Sequence, residues 1–258
     1  MIKPKRIGKF FDLDKDGNII PDVSLEKIQP RWRDLVTYVS DRLISFAKIK
    51  AVYIRGSIPR GLAQEGYSDV DFLCLTDENL NKINEEINQY CKDNFPFARG
   101  IEIGCFNESV LSRIKPNRTR PYAHMLLKTQ SLFLLGENIC DRIEPFQPGI
   151  EVISHAFNLT KDLEQYNEWK TTEPQLENEG RKWLARRVVR SGLEVTLDRS
   201  QKFTRDLYLC YEKFAEFYPE KEQEMYSVLN NALNAELDMG EFKELIYFLN
   251  SESKRMLK

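Results

Sequence analysis

The sequence predicts an α+β protein in two parts, an α/β half over residues 1–148 and an all-helical half over residues 149–258. Three observations carry this reading. Short runs rich in β-branched and aromatic residues, at 51–55, 70–75 and 97–106, are separated by stretches of helical period. Beyond Pro145 and Pro148 the apolar residues recur almost entirely at intervals of three and four. Two carboxylates, Asp69 and Asp71, fall where a strand would otherwise bury Val or Ile, and a buried carboxylate is costly without a partner.

Along the chain, "DLDKDGNIIPDV" (12–23) opens like a calcium loop, with Asp12, Asp14, Asp16 and Gly17. Its twelfth position holds Val23 where a bidentate Glu is needed, so a hairpin of "KFFDL" and "NII" about an Asp-Gly turn is the better reading. Trp32, Leu35, Val36, Val39, Leu43, Phe46 and Ala47 form the apolar face of a helix over 31–48. A strand follows over 51–55 and stops at Gly56, and "VDFLCL" (70–75) is the second strand. Residues 80–94 are helical, with Leu80, Ile83, Ile87 and Tyr90 as the stripe, and "FARGIEIGCF" (97–106) is the third strand. Residues 122–131 read as helix and 132–135, before Gly136, as a short fourth strand. In the second half Phe203, Leu207, Cys210, Tyr211, Phe214 and Tyr218 line one helix, and Met225, Val228, Leu229 and Ala232 the next, with Pro219 between them.

Composition narrows the function classes. With 41% hydrophobic and 30% charged residues the chain can build an ordinary core. A net charge of −2 argues against a dedicated nucleic-acid coat. No run reaches the length of a membrane span, and no secretory pattern opens the chain. Five scattered cysteines without a CxxC pair indicate neither a disulfide framework nor a zinc knuckle, and point to the cytoplasm. Cys74, Cys105 and Cys210 lie in apolar contexts and are expected in the core.

The chemistry concentrates in "YIRGSIPRGLAQEGYSDVDFLCL", residues 53–75. Two residues apart on a strand, Asp69 and Asp71 project from one face and repel each other. A hard divalent cation such as Mg²⁺ relieves the repulsion and retains waters for a phosphate-bearing substrate. Glu102, flanked by Ile101 and Ile103, supplies a third acid from the next strand, and three acids suit a two-metal site. Gly56 lets backbone approach a phosphate, and Ser57 adds a hydroxyl and an N–H. A helix starting in "IPRGLA" would place its N-terminus at the same point, with Arg60 one turn on to reach a phosphate oxygen. Ser68 is placed to orient Asp69 by a local hydrogen bond.

Ile54-Arg55-Gly56-Ser57, Ser68-Asp69-Val70-Asp71 and Glu102 together resemble the catalytic signature of the DNA polymerase beta-like nucleotidyltransferase superfamily. Arg55 departs slightly from the pattern and is expected to point away from the site. The resemblance implies an α/β core with a mixed sheet and, after it, a helical domain like that of the aminoglycoside adenylyltransferases of the streptomycin/spectinomycin or kanamycin type. In the streptomycin-type enzymes that domain supplies a lysine to the nucleotide phosphates. Within "RRVVRSGLEVTLDRSQKFTRDL" Lys202 matches the place, although Ser200-Gln201-Lys202 stands where Ser-Lys is expected. A solvated helix start capped by Ser200 or Thr204 explains the same residues equally well. Arg186 and Arg190, four apart, read as a solvated helix face before phosphate ligands. His124 sits in a basic stretch that suits either a surface loop or a substrate contact, His155 is expected to be structural, and Trp169 and Trp183 to be core.

The resemblance implies a nucleotidyltransferase using two Mg²⁺ ions held by Asp69, Asp71 and Glu102, moving AMP from ATP onto a hydroxyl of an aminoglycoside-like small molecule. Its nucleotide would lie over Gly56, Ser57, Arg60, Ser68 and Lys202, and its acceptor between the two halves. Glu102 would also take the acceptor proton, with Glu164, Glu168 and Glu177 as further candidates for a base. The alternatives are a regulatory or antitoxin-like module acting on or binding a protein, and transfer to an RNA end.

Overall fold

The computed structural model describes residues 2–46, 48–115 and 117–257. Two compact units emerge: Asp12–Phe146 is one, and the residues before Asp12 join Gln147 onward in the other. The first eleven residues, expected with the α/β half, are thus claimed by the helical unit. The Phe11 N–H donates to the Phe203 carbonyl at 2.8 Å, and the two rings meet edge-on at 5.3 Å.

The α/β unit is a four-stranded sheet in the order β3-β2-β1-β4, with β1 Ala51–Arg55, β2 Val70–Leu75, β3 Ile101–Phe106 and β4 Ser131–Gly136. β1 is antiparallel to β2 and β4, whereas β2 and β3 are parallel, so the sheet is mixed. Parallel neighbours need a crossover, which α2 (Asn81–Asn94) provides. One sheet face carries Val52, Ile54, Val70, Phe72 and Cys74 into a core with Trp32, Leu35, Val39 and Leu43 of α1 (Pro30–Ile44) and Ile83 and Ile87 of α2. Alternation then turns the intervening residues of each strand to the opposite face.

Several expected elements end early. α1 stops at Ile44, leaving Phe46 41% exposed; Ala47, expected on that helix's apolar face, lies outside the described residues. Cys91 takes the buried place expected of Tyr90, which is exposed and stacks on Tyr38 at 4.1 Å between ring centroids. β3 begins at Ile101, not 97. Cys105, expected in the core, is exposed on this edge strand, while Cys74 and Cys210 are buried. The Asp-Gly hairpin contracts to one bridge, Leu13–Ile19, because Asp14 gathers the Asp16 and Asn18 N–H groups into a tight loop. Two helices complete the unit: α3 (Glu108–Ser112), too short for periodicity to reveal, and α4 (Tyr122–Gln130).

The helical unit contains α5 (Leu159–Thr172), α6 (Glu177–Glu194), α7 (Leu197–Ser200), α8 (Leu207–Phe217), α9 (Glu222–Asn234) and α10 (Lys243–Arg255). α6 is its centre, with Leu184, Ala185, Val188 and Val189 fully buried. Gly192 permits the close approach of α8 and α9: a Cβ there would lie 2.9 Å from Met225 Cε and 3.1 Å from Phe214 Cβ. Pro219 starts a turn that leads into α9.

Candidate active site

The strand registers draw a single row across the outward sheet face. Glu102 pairs with Asp71, Asp71 with Arg55, and Arg55 with Ser131, one residue from each of β3, β2, β1 and β4. Residues paired in register share a face, so four polar side chains stand side by side where each strand's other face feeds the core. This resolves the acids in the strand: Val70 and Phe72 are the buried partners, and Asp71 points the other way.

Asp71 is the most perturbed of these groups. Burial pushes its carboxyl up, the Arg55 guanidinium opposes this, and the charges of Asp69 and Glu102 reinforce it, to a value of about 7. Glu102 stands directly beside Asp71 in register on the neighbouring strand. Asp69, just before β2, is turned differently: its Oδ2 accepts from Arg99 Nη2 at 2.6 Å, with both side chains about two-fifths exposed. Among the described residues no three His, Cys, Asp or Glu side chains form a ready-made cation cage. Asp69's pairing with Arg99 leaves Asp71 and Glu102 as the adjacent pair. The donors are all carboxylate oxygens, the set a hard cation prefers, and Asp71 and Glu102 stand side by side in register on neighbouring strands. The residues present therefore fit a magnesium ion.

Gly56 ends β1 in the left-handed region, φ +85°, and a Cβ there would sit 2.8 Å from Asp71 Oδ2. Glycine is thus required twice, by the backbone and by the carboxylate beside it. The helix expected from "IPRGLA" does not form. The chain makes a closed turn instead, with the Leu62 N–H on the Ser57 carbonyl at 3.0 Å and Gly61 at φ +72° ending any helical run. A Cβ on Gly61 would meet the Lys27 carbonyl at 2.9 Å. Ser57 Oγ lies 3.2 Å from Ser68 Oγ, which also accepts the Gln64 N–H at 2.9 Å, so Ser68 ties the two ends of the loop together.

Arg60 and Arg55 both differ from expectation. The Arg60 side chain is only 8% exposed and pairs with Asp22 at 3.4 Å, beside Lys27, which pairs with the same carboxylate. It braces the loop from beneath. Arg55, expected to point away, stands in the row beside Asp71 with its Nε buried. Sequence reasoning missed Arg55 and Arg99 as neighbours of the acids. The register across β1 and β2 would have flagged Arg55, but a sequence does not print its register.

In the helical unit Lys202 is exposed, with its N–H near Ser200 Oγ at 3.4 Å. The same unit also buries charge. Glu194 accepts the Ser154, His155 and Ala156 N–H groups at 2.8–2.9 Å, and Arg205 Nη2 is 3.3 Å from His155 Nε2, a structural setting for that histidine. Burial, with Arg205 and Arg186 near, lowers Arg190 to about 9. Trp169 and Trp183 meet at 4.9 Å, half-buried. Glu164 and Glu168 are exposed, and Glu177 pairs with Arg181. In the basic stretch, His124 is held below its usual range by burial and by Arg120.

Residues 34–106 match the family model of the nucleotidyltransferase domain. No curated protein matches the chain. Among solved structures, spectinomycin adenyltransferase AAD(9) from Enterococcus faecialis, crystallised with ATP and spectinomycin, superposes over 86% of this chain and 99% of its own, with a TM-score of 0.50 and 13% identity. The matched span contains the Gly56–Ser57 turn and every acid of the row. Residues 34–106 thus match the nucleotidyltransferase domain family, in a chain whose fold resembles that of the spectinomycin enzyme.

Proposed function

We propose that the protein is a magnesium-dependent nucleotidyltransferase that moves AMP from ATP onto a hydroxyl of a small, aminoglycoside-like molecule. The observation that carries this is the register pairing of Asp71 with Glu102 across parallel strands, beside a glycine whose missing Cβ leaves room for Asp71. Asp69, Asp71 and Glu102 would hold the metal, which would supply charge neutralisation at the transferring phosphoryl group. Gly56 and Ser57 present backbone and hydroxyl to the phosphates, with Ser68 fixing the Ser57 side of the loop. Glu102, on the edge strand and exposed, accepts the proton of the acceptor hydroxyl. Arg60 serves by holding the turn, not by reaching phosphate, given its burial against Asp22. Lys202, exposed on the helical unit, is a candidate for the polyphosphate. The spectinomycin enzyme's fold supports the small-molecule acceptor.

The test is a transfer screen with α-labelled ATP and Mg²⁺ over aminoglycosides, other hydroxylated antibiotics, proteins and tRNA. Label on a small molecule, abolished by Asp69→Asn with Asp71→Asn, is the expected result. Label on protein or RNA would replace the acceptor class. No transfer and no pyrophosphate with any acceptor would remove the reading.

A further inference from the structure

The ion pair between Arg99 and Asp69 occupies a carboxylate that the proposed function assigns to a metal, and the inference below rests on that reading. Arg99 Nη2 lies 2.6 Å from Asp69 Oδ2. The backbone on both sides of this contact is fixed. The Arg99 N–H donates to the Ser68 carbonyl at 3.0 Å, and the Val70 N–H donates to the Gly100 carbonyl at 3.0 Å. Arg99 and Asp69 are thereby held as neighbours across the entry to β2 and β3. The pair is about two-fifths exposed, in the range where an ion pair contributes little and exchanges readily. Arg99 also lines a groove with Glu85, Gln89 and Lys92 of α2.

We propose that Arg99 is a positioning residue that exchanges counter-ions during the reaction cycle. In the metal-free enzyme it neutralises Asp69 and stands in for the missing cation. When Asp69 takes up a metal, Arg99 is displaced by like-charge repulsion and turns its donors to the polyphosphate that arrives with the metal. Arg99 thus weakens binding of the bare cation and strengthens binding of the metal–nucleotide. A residue that only held the fold would not move these two affinities in opposite directions.

The experiment compares wild type, Arg99→Ala, Arg99→Gln and Arg99→Lys by two measurements, with melting temperatures to verify folding. Free Mn²⁺ binding without nucleotide is followed by electron paramagnetic resonance. Binding of Mg²⁺ with α,β-methylene-ATP is followed by calorimetry. Arg99→Ala and Arg99→Gln are expected to bind Mn²⁺ about fivefold more tightly, the scale of a released exposed pair. The same variants should bind the metal–nucleotide about tenfold more weakly, the scale of one lost charge-assisted hydrogen bond. Arg99→Lys should stay near wild type in both. Unchanged or weaker Mn²⁺ binding in the folded neutral variants overturns the proposal while leaving the active-site reading intact. Failure of the wild type to bind Mg²⁺ with α,β-methylene-ATP at millimolar concentration overturns both.

Discussion

Asp71 combines a position in a strand with a carboxyl raised to about 7, and the sign of that shift fixes what substitution and pH should do. The folded protein holds the Asp71 proton up to about pH 7, whereas an unfolded chain releases it near pH 4. The native state therefore binds more protons between those values, and this contribution to stability is full below about pH 4 and is lost as pH rises through 7. Asp71→Asn mimics the protonated acid. In metal-free protein it should be nearly neutral below pH 4 and increasingly stabilising above it, by about 4 kcal/mol at pH 8, as read from denaturant midpoints. The same proton competes with a metal, so Mn²⁺ affinity of the wild type should climb from pH 6 to pH 7.5, approaching tenfold per unit at the acid end. Gly56 gives the complementary prediction. Gly56→Ala meets both a left-handed backbone and the Asp71 carboxylate at 2.8 Å, so it should cost about 1–2 kcal/mol and lower transfer activity at least tenfold.

The elements explain why the site was partly legible before the structure. β1 and β2 are short β-branched runs whose alternation is broken only at functional residues, so Asp71, Glu102 and the Gly56 stop stand out from the pattern. What a linear pattern lacks is register and loop conformation. Arg55 enters the site through its pairing with Asp71, and Arg99 through a crossover that returns the chain beside Asp69. Arg60 had the residue type of a phosphate ligand, and only the turn at Gly61 and the segment at Asp22–Lys27 reveal it as a brace. That segment makes a test at this scale. Asp22→Asn leaves a buried guanidinium without its carboxylate and should cost about 3 kcal/mol, measured by urea unfolding. An Arg60 that served only phosphate would leave stability unchanged. Asn88 plays a comparable part on the other side of the sheet, where its amide bonds both the N–H and the carbonyl of Ile101 at 3.1 Å and so sets β3 against α2.

At the scale of the whole molecule, each unit has its own apolar core, and the acids, the Gly56 turn and both newly identified arginines all belong to Asp12–Phe146. Among the described residues no helix is long and apolar enough to cross a membrane. Ligand linkage gives the full chain a measurable signature. A metal–nucleotide that binds only the folded state at a hundred times its dissociation constant adds about 2.7 kcal/mol, or about 5–10 °C in the thermal midpoint of a protein this size. The wild type should show that rise with Mg²⁺ and ATP together and little with ATP alone. The Asp69→Asn, Asp71→Asn double variant should begin at an equal or higher midpoint at pH 8, because a buried charge has been removed, and then fail to respond. Lost ligand response with undiminished basal stability separates a binding defect from a folding defect. A full response in the double variant would place the nucleotide away from this sheet face, and the catalytic assignment of all three acids would fall with it.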